Sequence, residues 1–247
     1  MSVSRSTGSV VLGYRLGTTS TGEDGQMVTL TTSRLLLRRW REDDLPAMAA
    51  INADPEVMRW IGDGTPVDDE ATAAATARSE QHWETHGFGL FAVEIRASGE
   101  LAGFTGLNTP YFLPEVLPAV EIGWRLGRQY WGQGIATEAA QAALDFGFTD
   151  RGLDRIVSIH QLGNDASGRV MQKLGMQLDR EITDSRGWRV RIYGISRNDY
   201  RPAGPAANRA EPGAERPRSG RCGSSLLGGS AAEAGGPYWR DGGVSSR

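Results

Sequence analysis

The chain has 247 residues, 27 Lys and Arg against 30 Asp and Glu, a formal net charge of −3 and a sequence pI near 5.7. That balance gives no overall basic surface and argues against nucleic acid as the main partner. The single cysteine, Cys222, excludes a disulfide framework and leaves no cysteine chemistry to build on. No apolar run approaches the roughly 20 residues a spanning helix needs, so no membrane partner is expected and the default location is the cytoplasm.

The first 26 residues are rich in Ser, Thr and Gly. Their apolar patch, Val10-Val11-Leu12, is too short and too weakly flanked by basic residues for a signal peptide. Residues 1–29 read as a disordered extension, with Met27 a candidate translation start. Leu35-Leu36-Leu37 between arginines reads as a first strand. Arg38-Arg39-Trp40-Arg41, matched by Glu42-Asp43-Asp44, reads as its solvated end. Asp43-Asp44 then caps a helix through Ala47 to Ile51, and Pro55 starts a short turn of helix. An alanine-rich helix over Asp68–Thr85 opens on the acidic group Asp68-Asp69-Glu70 at its positive end.

The period changes to two from Phe88 to Ile95, Ser98-Gly99 turns the chain, and Leu101 to Leu107 completes a hairpin. A proline-rich loop, Pro110 to Pro118, precedes a strand at Ala119–Leu126. A glycine-bearing turn and a helix over Gln133–Phe148 follow, then a strand at Arg155–His160. A helix opens at Asn164 and ends at Gly175. Strands at Met176–Ile182 and Arg189–Ser196 close the foldable part. From Pro202-Ala203-Gly204-Pro205 onward large apolar residues are few, and residues 201–247 read as a disordered tail. The element order predicts one domain over residues 30–200. Its expected class is α+β, an α/β sandwich whose mixed, mostly antiparallel central sheet is flanked by helices.

The most informative stretch is Arg128-Gln129-Tyr130-Trp131-Gly132-Gln133-Gly134-Ile135-Ala136, between a strand and a helix. Gly132 and Gly134 lack Cβ, so an anion can approach the main chain, and the following helix offers its orphan N–H groups. Such a turn can bind a pyrophosphate without a lysine. It lacks the spacing of the dinucleotide fingerprint and the Lys-Ser/Thr of a P-loop. A nucleotide-dependent oxidoreductase or kinase would further need glycines at the first strand and an acidic ribose partner, and neither is present. About thirty residues on stands Asn164-Asp165-Ala166-Ser167-Gly168-Arg169-Val170-Met171-Gln172-Lys173-Leu174-Gly175-Met176.

Together the two segments resemble the acyl-CoA-binding core of the GCN5-related N-acetyltransferase (GNAT) superfamily, over residues 30–200. Within it, the likeness is to the RimJ/RimL-type branch that acetylates ribosomal-protein N-termini. The resemblance implies an acetyl-CoA-dependent N-acetyltransferase acting on a primary amine, either a protein N-terminus or a small molecule. It implies acetyl-CoA as co-substrate, no metal, and a monomer or homodimer. The strand before the glycine turn would splay from its neighbour and admit the pantetheine arm. The residues implied to hold the co-substrate are Ile122, Trp124, Leu126, Gln129, Trp131, Gly132, Gln133, Gly134, Ile135, Ala136, Asn164 and Ser167. Arg128, Arg169 and Lys173 are further candidate phosphate contacts, each equally readable as a solvated side chain.

The reaction needs an amine to lose a proton and attack a thioester, and a carboxylate near that amine would help. Glu121, an isolated acid on the strand Val120-Glu121-Ile122-Gly123-Trp124, is the candidate base. The competing readings are a solvent-face glutamate or one paired with Arg125. Many family members place a tyrosine seven residues after the asparagine to protonate the leaving thiolate. That position here is Met171, which cannot donate a proton. The ribosomal N-terminus branch shares this departure and carries a serine where Ser167 stands, so Ser167 is the second catalytic candidate. Met171 equally supports an alternative, a catalytically silent acyl-CoA-binding sensor or scaffold. Asn164 also reads as an ordinary N-cap. The helix residues His82 and His86 have a spacing that can bind zinc. No Glu follows the first, however, so the zinc-protease motif is absent and no metal is expected.

Overall fold

The computed structural model describes residues 28–202. The expectations for the N-terminal extension, for Met27 and for the tail with Cys222 lie outside the described residues, save that Val28 packs against the main core. The strands are β1 (Leu30–Thr31), β2 (Leu35–Arg38), β3 (Leu90–Ile95), β4 (Leu101–Asn108), β5 (Val120–Leu126), β6 (Arg155–Gln161), β7 (Gln177–Thr183) and β8 (Arg189–Ser196). The helices are α1 (Leu45–Asn52), α2 (Pro55–Met58), α3 (Asp69–His86), α4 (Ile135–Asp145) and α5 (Asp165–Lys173). The eight strands form one sheet in the order β1-β2-β3-β4-β5-β6-β8-β7. Every neighbouring pair is antiparallel except β5 and β6, which α4 connects as a crossover.

The helix bounds follow from capping. The Asp68 side chain accepts from the Ala71 N–H at 2.8 Å and opens α3. The α4 helix carries a buried stripe, Ile135, Ala139, Ala142 and Ala143, which Phe146 continues just beyond its end, at the spacing of one helical face. That stripe meets Leu35, Leu37, Phe91, Val93, Ile122 and Leu126 from the sheet to form the main core. A second cluster, Met48, Ile51, Val57, Leu90 and Phe104, seats α1 and α2. A third, Leu113, Val116, Val157, Val190 and Ile192, fastens the proline-rich loop.

Three local expectations are corrected. The regular α4 helix starts two residues later than expected, at Ile135, because Gly134 is its N-cap, and after Asp145 it widens into a π turn over Phe146–Asp150. A short strand, β1, precedes the expected first one. In the Arg38–Asp44 run Arg41, Glu42 and Asp43 are exposed as expected, but Arg38 and Asp44 are not solvated. Both side chains are buried, and the guanidinium donates to the two Asp44 oxygens at 2.7 and 2.8 Å and to Glu94 at 2.8 Å. Asp44 makes no side-chain cap on α1; its carboxylate instead takes the Arg41 N–H at 2.8 Å. These contacts hold the Arg38 guanidinium's pKa above its usual value.

Candidate active site

The parallel pair β5–β6 is short. Its register holds only at Val120↔Ile156 and Glu121↔Val157. Beyond that point the Ser158 hydroxyl, not the β6 backbone, reaches across and donates to the Ile122 carbonyl at 2.9 Å. Main-chain groups of alternate strand residues face the same neighbour. The Trp124 main chain therefore points to the side from which β6 has withdrawn. At the far end, the Trp131 indole N–H donates to the Leu126 carbonyl at 2.8 Å and ties the glycine turn to the strand. The family resemblance implies a splayed strand here, and the β5–β6 register ends at Glu121↔Val157.

Glu121 stands at the parting point, paired across β4 with buried Asn108. Burial raises its carboxyl pKa to about 8, against the opposing pull of the Ile159 main chain. Neither competing reading of this residue describes its surroundings. It is not on an exposed face, and Arg125 is engaged elsewhere. The Arg125 guanidinium is buried, donates to Asn52 Oδ1 at 2.7 Å and lies over the Phe104 ring at 5.4 Å. Burial lowers its pKa to about 9, which leaves it charged at neutral pH. Asn52 in turn donates to Thr72 at 2.9 Å, joining β5, α1 and α3.

The glycine turn is open to solvent from Trp131 to Gly134. Gly132 and Gly134 hold φ values of +73° and +78°, which an L side chain adopts with strain. Gly134 accepts the Glu138 N–H at 3.0 Å, so the N–H groups of Ile135, Ala136 and Thr137 begin α4 without intrahelical acceptors. Arg34 joins this turn from the β1–β2 connection. Its guanidinium donates to the Gln133 carbonyl at 2.9 Å and to Glu138 at 2.6 Å. The Arg128 guanidinium lies 3.6 Å from the Asp54 carboxylate.

On α5, Asn164 Oδ1 accepts the Ser167 main-chain N–H at 3.3 Å, the N-cap that its spacing allowed. Ser167 is half-buried, while Arg169 and Lys173 are exposed. Met171, also singled out by the sequence, lies fully buried in the main core. His160 is buried beneath α5; its Nδ1–H donates to the Gln161 carbonyl at 2.9 Å, and burial lowers its pKa. His82 and His86 stack at 4.1 Å. The two His82 ring nitrogens meet the Phe88 carbonyl at 2.8 Å and Thr109 Oγ1 at 3.3 Å. Among the described residues no group of three His, Cys, Asp or Glu side chains could hold a metal ion.

Opposite α5, the segment from Asn52 to Gly62 straddles the parted strands. Its Asn52 end is tied to Arg125 on β5. Its Gly62 carbonyl accepts from the Gln161 side chain at 3.0 Å on β6, and the Trp60 ring lies against Gly163. This strap, Arg34 and the Arg125–Asn52–Thr72 chain are not legible in the linear sequence. Each rests on contacts between residues tens of positions apart, and no local pattern announces them.

A family model for the acetyltransferase (GNAT) domain matches residues 34–177. The chain belongs to the GNAT family. As a GNAT domain it is an acyltransferase, an acetyl-CoA-dependent N-acetyltransferase. An uncharacterized N-acetyltransferase, p20 of Bacillus licheniformis, is 29% identical over 174 residues, covering 69% of this chain and 96% of its own. An acetyltransferase from Agrobacterium tumefaciens superposes with a TM-score of 0.60 at 28% identity, covering 71% of this chain and 98% of its own. The spermidine N-acetyltransferase of Vibrio cholerae, solved with CoA and spermine, shares the fold at a TM-score of 0.56 and 19% identity, covering 68% and 98%. Among the described residues no helix is long and apolar enough to cross a membrane.

Proposed function

We propose that this N-acetyltransferase holds acetyl-CoA in the cleft between β5 and β6 and transfers the acetyl group to a primary amine by direct attack. The diphosphate would sit on the turn Gly132–Ala136, against the N–H groups that begin α4. The pantetheine amides would pair with the main chain of Ile122, Trp124 and Leu126, the first and last through their N–H groups, since their carbonyls are taken by Ser158 and Trp131. Gln129, Trp131 and Gln133 would line the turn, and Asn164 and Ser167 the thioester end.

One observation carries this reading. Glu121 is the last residue of β5 in register with β6, and its carboxyl, with a pKa of about 8, stands where the cleft opens. A base matched to the working pH takes the proton of an incoming ammonium with the least driving-force penalty. Ser167, on the first turn of α5, would support the departing thiolate, a group whose ordinary pKa of about 8.5 demands little help. Main-chain N–H groups in the cleft would stabilise the developing oxyanion.

The proposed acceptor is an amine carrying one positive charge, a protein N-terminus or a small monoamine, as in the RimJ/RimL-type branch. Glu121 is the acid at the parting point, and the same face of β5 carries buried, charged Arg125. A polyamine needs several carboxylates, and the Arg125 charge opposes it. The test is a thiol-release assay with acetyl-CoA and a panel of N-terminal peptides, monoamines and polyamines. Turnover confined to polyamines would overturn the acceptor reading, and no turnover with any amine would favour a silent acyl-CoA-binding module.

A further inference from the structure

The first turn of α4 carries a carboxylate, Glu138, close to where the proposed diphosphate would bind, and an anion there opposes another anion. Its charge does not stand alone. The Thr32 hydroxyl donates to Glu138 Oε1 at 2.6 Å, and the Ser33 hydroxyl and the Arg34 N–H donate to the same oxygen at 3.1 Å each. The Arg34 guanidinium takes Oε2 through both Nε and Nη2 at 2.6 Å. That guanidinium also donates from Nη1 to the Gln133 carbonyl at 2.9 Å. Its Nη2 lies 3.5 Å from where a Cβ on Gly134 would stand. Nearly half of the Arg34 side chain remains exposed, whereas Glu138 is largely covered.

We infer that Arg34 is a positioning and specificity residue for the nucleotide half of the donor. It cancels the Glu138 charge, fixes the Gln133–Gly134 peptide so that its neighbours' N–H groups face outward, and presents its free edge to a phosphate. A guanidinium suits this double task because its planar fork grips a carboxylate on one side and keeps further donors on the other. The pair also explains how an acidic residue is tolerated in the first turn of a helix whose N-terminus takes an anion. This inference rests on the acyl-CoA reading of the same turn.

The test is calorimetric, on the full chain, with CoA and acetyl-pantetheine as probes; the second lacks the nucleotide and diphosphate. Three proteins are compared: wild type, Arg34→Met, and Arg34→Met combined with Glu138→Gln. Arg34→Met is expected to weaken CoA at least tenfold and to steepen no loss for acetyl-pantetheine. The double variant is expected to recover the part of the CoA affinity lost to the uncancelled carboxylate, while the part due to the missing guanidinium–phosphate contact stays lost. A purely structural role for Arg34 predicts the opposite, an equal loss for both probes that Glu138→Gln leaves unrepaired, and that result would overturn the inference. So would wild-type CoA affinity in Arg34→Met. If the wild-type chain itself binds acetyl-pantetheine but not CoA, or binds neither, the site reading falls first and the inference with it.

Discussion

Glu121 and Val157 form the last registered pair between β5 and β6, and the carboxyl at that point is buried enough to hold its proton up to about pH 8. If it is the base, activity at saturating acetyl-CoA should climb as pH rises toward 8 and level off above it. Glu121→Gln keeps the shape and removes the titration. The expected loss in kcat is about 10²–10⁴-fold, typical for removal of a general base, with little change in acetyl-CoA affinity. A variant that keeps both its rate and the rising limb would remove Glu121 from the mechanism.

The same pKa makes a separate statement about stability. The folded-state value, about 8, lies above the ordinary carboxyl value of 4.5, so the folded protein holds a proton that the unfolded chain releases. The stability linked to that proton is present below pH 4.5 and is lost as pH rises through 8. Glu121→Gln has no such proton to lose. Its melting temperature relative to wild type should therefore rise between pH 5 and 8 and level off above that. A difference independent of pH would show that the carboxyl titrates normally.

The buried pair Arg38–Asp44 offers a test far from the cleft. Arg38 also holds Glu94 at 2.8 Å, so its loss leaves Asp44 with only the Arg41 main-chain N–H and Glu94 with only the longer Arg41 contact at 3.5 Å, whereas loss of Asp44 leaves the guanidinium with Glu94. Breaking a buried pair from one side costs about 3–5 kcal/mol, and Arg38→Met should fall at the upper end with Asp44→Asn below it. Urea unfolding of the two variants at pH 7 measures that order.

The contrast between this pair and the cleft shows what the linear sequence carries. Element order and the glycine turn were legible because each is written in local signals, period, caps and two glycines that reach positive φ, whereas the parting strand came only from the family resemblance. Asp44 was misread because the same local acids that cap a helix also suit a buried ion pair, and only the position of β3, with Glu94, decides between them. Arg34 escaped notice for the same reason. Its partner Glu138 is 104 residues away, and an arginine flanking a strand looks like any solvated one. Met171 was legible as a departure from the tyrosine pattern, yet its burial in the main core had to come from packing.

The turn itself can be tested by its φ. Gly134 at +78° has the Arg34 guanidinium 3.5 Å from the place of a Cβ. Gly134→Ala adds left-handed strain of roughly 1 kcal/mol, and Gly134→Val adds branching over the anion path as well. Both should lower stability slightly. Gly134→Val should weaken CoA binding tenfold or more beyond Gly134→Ala. Equal CoA affinity for a folded Gly134→Val and the wild type would place the diphosphate elsewhere.

Ser167 and Asn164 separate structure from chemistry on α5. The cap runs from the Asn164 side chain to the Ser167 main-chain N–H, so it survives Ser167→Ala and is lost in Asn164→Ala. Asn164→Ala should therefore cost about 1 kcal/mol of stability, the usual value of a cap, and weaken acetyl-CoA binding as well. Ser167→Ala should leave the melting temperature unchanged. Its kcat should fall less than about tenfold at pH 8 and further at lower pH. A thiolate with a pKa near 8.5 leaves unaided at alkaline pH but benefits from a donor when the chemistry runs more slowly. A pH-independent loss would assign Ser167 to positioning the thioester rather than to the thiolate.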